Sequence, residues 1–149
     1  MTKKEFEPDP AAQPSALPAT RDEPPRPCLL LVDDDGTIRE MLRISLDLHY
    51  RVICLPNGEG VIGAIEEFHP RLLVLDINLP GADGYEICEK VRAEARFRRL
   101  PILFTTVRTD DATFLKGLQI GGNSLILKPF EISAFRERVE YLLKANPRA

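Results

Sequence analysis

The stretch Leu29–Leu42, "LLLVDDDGTIREML", decides the fold. An apolar run is followed by three adjacent aspartates, Asp33, Asp34 and Asp35. After them Ile38, Met41, Leu42 and, further on, Leu46 share one helical face. A short continuous apolar run reads as a strand buried on both faces, and the i, i+3, i+4 spacing reads as an amphipathic helix. The acids therefore stand where a strand hands over to a helix, and like charges so placed need a neutralising partner.

The same alternation recurs along the chain. Apolar runs fall at 28–32 ("CLLLV"), 51–55 ("RVICL"), 72–76 ("LLVLD"), 101–106 ("PILFTT") and 124–128 ("SLILK"). Between and after them, helical faces are marked by Val61, Ile62, Ile65 and Phe68, then by Ile87, Cys88, Val91 and Ala95. Phe114, Leu115 and Leu118 mark a short fourth helix, and Ile132, Phe135, Val139 and Leu142 the last. Five strand–helix pairs with near-continuous apolar strands predict an α/β domain, a parallel sheet covered on both faces. Right-handed crossovers leave few topologies, and a doubly wound sheet in the order 2-1-3-4-5 is the expected one.

The domain is expected over residues 28–145. Residues 1–27 differ in kind: Pro8, Pro10, Pro14, Pro18, Pro24, Pro25 and Pro27 lie there among mixed charges and few apolar residues. Such a segment cannot bury enough surface to offset the ordering of its backbone, so a disordered Pro-rich tail is expected. Residues 146–149 are read as a short C-terminal tail. A chain of 149 residues with one such pattern suggests a single domain with a proper core. The net charge of −3 gives no bulk attraction to nucleic acid or to an anionic membrane. Cys28, Cys54 and Cys88 are odd in number and widely spaced, which fits buried reduced thiols better than disulfides or a zinc site. The opening "MTKKEFEPDP" lacks a signal-peptide core, and no apolar run is long enough to span a bilayer, so a cytoplasmic protein is expected.

In open parallel sheets chemistry gathers at the carboxyl ends of the strands. Here those ends carry Asp33-Asp34-Asp35, Asp76, Thr105-Thr106 and Lys128-Pro129; the second run ends in "LPNG", which is unreactive. Carboxylates gathered in one pocket call for a hard divalent cation. Mg²⁺, which takes oxygen ligands and sits between carboxylates and phosphate, is the simplest choice. Asp76 is then free to act as a nucleophile, with a hydroxyl and the Lys128 ammonium sharing the charge of a phosphoryl group.

These motifs resemble the receiver domain of two-component response regulators over about Cys28 to Lys144. "LLLVDDDGTIREML" is similar to the family's opening strand, acidic pair and first helix. "LLVLDINLPGADGYEICEKVR" is similar to its phospho-acceptor segment, "PILFTT" to its hydroxyl-bearing strand, and "GGNSLILKPF" to its lysine strand. The resemblance implies a flavodoxin-like (βα)5 fold. It makes Asp76 the phospho-acceptor, and gives the metal site Asp33, Asp34, Asp76 and the backbone carbonyl of Asn78, with Mg²⁺ as the cofactor. Thr106 and Lys128 would bind phosphoryl oxygens, with a cis peptide bond before Pro129. The implied donor is a sensor histidine kinase or histidine phosphotransfer protein. No DNA-binding or enzyme domain is expected after it, so the implied output is a downstream protein target, without direct nucleic-acid contact or membrane insertion. No enzyme activity is implied beyond self-catalysed phosphorylation and dephosphorylation. Asp35 is expected to face solvent as a helix cap.

Two departures stand out. Leu125 occupies a place where the family usually has an aromatic ring, and Val107 replaces a small residue after the hydroxyl. They motivate an alternative, a binding module of the same fold that no longer uses phosphate. "VDDDGTI" also resembles the D-x-D-G-T opening of haloacid-dehalogenase-type phosphatases, with Asp33 as nucleophile and Asp35 as acid, although no later acidic motif accompanies it. His49 and His69 are read as capping or surface residues, and Arg92, Arg96, Arg98 and Arg99 as a solvated helix end.

Overall fold

The computed structural model describes residues 25–108 and 110–147. The tail expected over 1–27 lies outside the described residues as far as residue 24, as does the C-terminal tail at 148–149. At residues 25–27 the chain is attached to the domain. The Arg51 N–H donates to the Pro27 carbonyl (2.9 Å), and the Arg26 guanidinium bonds the Asp47 carbonyl.

Strands and helices alternate: β1 Cys28–Val32, α1 Gly36–Leu46, β2 Arg51–Leu55, α2 Val61–Phe68, β3 Leu72–Asp76, α3 Gly84–Arg92, β4 Ile102–Thr106, α4 Asp111–Gln119, β5 Ser124–Leu127 and α5 Ile132–Ala145. One 3₁₀ turn, Ala95–Phe97, follows α3. The five strands pair in parallel in the order β2-β1-β3-β4-β5, the expected doubly wound order. Every residue of β1, β3 and β4 is buried, which is why these strands read as unbroken apolar runs rather than alternating ones.

The sheet divides the core in two. On one face Leu42 and Leu46 of α1 and Phe135, Val139 and Leu142 of α5 pack on Leu29, Leu31, Val74 and Leu103. On the other, Val61 and Ile65 of α2, Ile87 and Val91 of α3, and Phe97 pack on Leu30, Leu73 and Ile102. The three cysteines are buried free thiols, as expected of packing residues. Helix starts follow local chemistry. Asp35 caps α1, accepting from the Thr37 and Ile38 N–H groups, and it is exposed as expected. Asp83 and Glu86 form a reciprocal capping box on α3. His69 is the C-cap of α2 with φ 49°.

Three local readings are corrected. Ala95 belongs to the 3₁₀ turn, not to α3. Arg92 is not a solvated helix-end charge. Its guanidinium donates to the Gly121 and Phe97 carbonyls (3.0 and 2.9 Å) and to Asn123 Oδ1 (3.1 Å), strapping α3 to the entry of β5. The largest change concerns α4. Phe114, Leu115 and Leu118 face outward, and the buried residues of that helix are Thr113 and Gly117. The Phe104 ring explains the inversion. A Cβ at Gly117 would lie 3.1 Å from it and one at Gly122 only 2.4 Å, so the glycine side of α4 is the side that fits against β4.

Phe135 is fully buried and stacked on Phe130 beneath α5. Phe135→Ala should cost about 3–5 kcal/mol of stability, read as a lower urea midpoint with an unchanged slope.

Candidate functional site

The strand tips bring together most of the residues singled out in the sequence. Asp33 and Asp76 are 1% and 4% exposed at the ends of the adjacent strands β1 and β3, whereas Asp34 is exposed. One oxygen from each of Asp33, Asp34 and Asp76 lies within 4.8 Å of the others. Lys128 follows β5 and reaches across β4. Its ammonium lies 2.7 Å from Asp33 Oδ2 and 3.1 Å from Asp76 Oδ2. The Lys128–Pro129 peptide bond is cis.

Each buried carboxylate is held at both oxygens. Asp33 Oδ1 accepts from the Asp35 N–H (2.9 Å), and Asp76 Oδ1 accepts from the Asn78 N–H (3.1 Å). Asn78 lines the cleft above, which has a volume of about 630 Å³ and is walled by Asp34, Ile38, Met41, Val107 and Phe130. Thr106 is wholly buried at the tip of β4, and its hydroxyl accepts from the Arg108 N–H (3.1 Å). Gly84 has a specific task here: a Cβ would stand 2.4 Å from the Asp76 carbonyl oxygen, so α3 can start this close to the acid only with glycine.

Arg39 belongs to the site although its sequence position reads as a surface charge. It is buried, and its Nη1 donates to the Asp33 carbonyl (2.8 Å), which fixes the backbone that presents the acids. Of the two departures, Val107 is 62% exposed beside the cleft, and Leu125 is half-buried against the α2/α3 side of the core. Asp35, the acid a phosphatase reading requires, is engaged as the α1 cap.

Burial pushes the Asp76 carboxyl up from its ordinary value, and the Asp33 charge adds to this. The Asn78 N–H and Lys128 pull it back only in part. For Lys128, burial lowers the pKa, but its hydrogen bonds and attraction to Asp33 and Asp76 outweigh that, and it is raised overall. The donor set is all oxygen and includes a solvent-facing carboxylate, which suits a hard divalent cation.

A folded-state pKa above the unfolded value means that the folded protein binds the proton more tightly. Stability therefore falls as pH rises from the unfolded pKa of Asp76 through its folded one. In divalent-free buffer at pH 7, Asp76→Asn should raise the urea midpoint. The gain should vanish in acid, where the wild-type carboxyl is also neutral, and Mg²⁺ should stabilise the wild type alone.

The chain matches the family model of the response regulator receiver domain over residues 29–140. It is 37% identical over 123 residues to the transcriptional regulatory protein AfsQ1 of Streptomyces coelicolor, covering 82% of this chain and 53% of that protein. It is 34% identical to the DNA-binding response regulator MtrA of Mycobacterium tuberculosis over 79% of this chain and 51% of the relative. It thus spans about half the length of the curated relatives it matches. Among solved structures, a putative response regulator from Chloroflexus aurantiacus superimposes with a TM-score of 0.75 at 36% identity, covering 80% of this chain and 99% of that one. The chemotaxis protein CheY4 of Vibrio cholerae superimposes with a TM-score of 0.76 at 25% identity, covering 80% and 100%. No helix among the described residues is long and apolar enough to cross a membrane. With its five-stranded order, its cluster of acids and these likenesses, the chain belongs to the response regulator receiver family of two-component systems.

Proposed function

We propose that this receiver accepts a phosphoryl group on Asp76 from the phosphohistidine of a sensor kinase or a histidine phosphotransfer protein. A carboxylate oxygen of Asp76 attacks phosphorus, the P–N bond breaks, and its electron pair stays on the donor imidazole. The observation that carries this reading is the Lys128 ammonium set between two buried acids at the rim of the sheet, 2.7 Å from Asp33 and 3.1 Å from Asp76. Asp33, Asp34, Asp76 and the Asn78 carbonyl would hold Mg²⁺, which when bound supplies positive charge against the phosphoryl oxygens. Asp33 keeps Lys128 in place. Lys128 then pairs with one phosphoryl oxygen, and the Thr106 hydroxyl donates to another while still accepting from the Arg108 N–H. The apolar wall of Ile38, Met41, Val107 and Phe130 beside Asp76 suits a protein donor rather than a free small molecule alone.

Output runs through protein contacts on the α4 side. Phe114, Leu115 and Leu118 are 47%, 53% and 42% exposed, and Leu127 of β5 is also exposed. Since α4 buries only Thr113 and Gly117, polar links hold its first turns. The Tyr85 hydroxyl donates to the Thr113 carbonyl (3.1 Å), and the Thr113 hydroxyl donates to Asp110 Oδ1 (2.7 Å). An element so lightly packed is suited to respond to a new dianion nearby.

Acetyl phosphate with Mg²⁺ should add one phosphoryl mass to the wild type and none to Asp76→Asn. A persistent absence of the gain in wild-type protein would instead favour the phosphate-independent binding module that Leu125 and Val107 motivate. Leu118→Asp should leave labelling unchanged and weaken capture of the downstream protein by at least about tenfold, measured by titration against phosphorylated receiver.

A further inference from the structure

The β4 residue before Thr106 is also a threonine, and nothing above uses it. Thr105 is 2% exposed, and its Oγ1 has no hydrogen-bond partner among the described residues. A buried hydroxyl without a partner is destabilising, so its presence calls for a reason.

Its place on the sheet supplies one. Asp76 and Thr105 are paired directly in register, and Thr105 pairs on its other side with Ile126. Side chains two residues apart in a strand share a face. Val74 and Leu103 belong to the core under α1 and α5, so Asp76 and Thr105, two residues on in β3 and β4, project on that same side. Lys128 starts beyond β5 and ends at β3 and β1, so its side chain passes over β4, whose last two residues are Thr105 and Thr106. An ammonium has three N–H donors. Two are taken by Asp33 and Asp76, and the third has no acceptor among the described residues. A spare donor and a spare acceptor thus lie at the same rim of the sheet, beside neighbouring strands.

We propose that Thr105 is a positioning residue for Lys128: its hydroxyl accepts the third N–H of the ammonium and keeps it over β4 while Lys128 exchanges the Asp76 carboxylate for a phosphoryl oxygen. In the resting site the two carboxylates hold the ammonium and the hydroxyl waits. When Asp76 becomes an acyl phosphate its carboxylate charge no longer holds Lys128 in the same way, and Thr105 limits how far the ammonium retreats. The proposal rests on the phospho-acceptor reading of Asp76.

The test compares wild type, Thr105→Val and Thr105→Ser in labelling by acetyl phosphate with Mg²⁺, followed by intact mass, alongside urea unfolding of each unlabelled protein. Valine keeps the shape and removes the hydroxyl. Labelling should slow roughly tenfold in Thr105→Val and recover in Thr105→Ser, while the urea midpoint of Thr105→Val stays level or rises. Labelling of Thr105→Val at the wild-type rate overturns the proposal. A lowered midpoint for Thr105→Val does so too, since it would mean that the hydroxyl is already satisfied, for instance by a buried water. Failure of serine to restore the rate counts against it equally. Wild-type protein that takes up no phosphoryl mass is a separate result, and it sinks the phospho-acceptor reading itself.

Discussion

One cation between two buried acids organises this molecule. Asp33 and Asp76 are almost inaccessible to water, and two carboxylates so placed repel each other. Lys128 offsets that repulsion only because three separate strands bring the groups within a few ångströms. The arrangement is therefore a property of the parallel sheet, and no local segment contains it. Burial nonetheless leaves the Asp76 carboxyl raised from its ordinary value, with the Asn78 N–H and Lys128 pulling it back only in part.

Much of this was legible in the sequence, for an identifiable reason. A strand buried on both faces is mostly apolar until near its end, so the acids, hydroxyls or lysine that close each apolar run mark a strand tip. Tips of parallel strands lie at one edge, which made Asp33, Asp34, Asp76, the Thr105-Thr106 pair and Lys128 readable as a set, with Thr106 singled out by the resemblance to the receiver family. What was not legible depends on facing rather than on residue type. Phe114, Leu115 and Leu118 have helical spacing, yet spacing cannot say which side of α4 meets the sheet. Gly117 and Gly122 decide it, because only they leave room for Phe104. Arg39 and Arg92 look like solvent charges in one dimension. Their carbonyl partners at Asp33, Phe97 and Gly121 exist only after folding. Thr105 is ordinary in a strand, and the lack of a partner for its hydroxyl appears only in three dimensions.

The two acids that neighbour Asp33 show how environment divides labour among identical side chains. Asp34 faces the cleft and Asp35 turns to the first N–H groups of α1. One strand–helix junction thus supplies a buried ion-pair partner, a solvent-facing oxygen donor and a helix cap. The repulsion expected of three consecutive aspartates is relieved because Asp33 pairs with Lys128, Asp35 caps the positive end of α1 and Asp34 is left to solvent.

The anchoring of α4 is lopsided. Its C-terminal end is wedged, with Phe104 filling the space at Gly117 and Gly122 and the Arg92 side chain gripping the Gly121 carbonyl. Its N-terminal end is held by the Tyr85 hydroxyl on the Thr113 carbonyl and by the Thr113 hydroxyl on Asp110. Any displacement of this helix would pivot about its C-terminal end like a lever on a fulcrum. A small shift at the first turn sweeps Phe114 through a wider arc than Leu118.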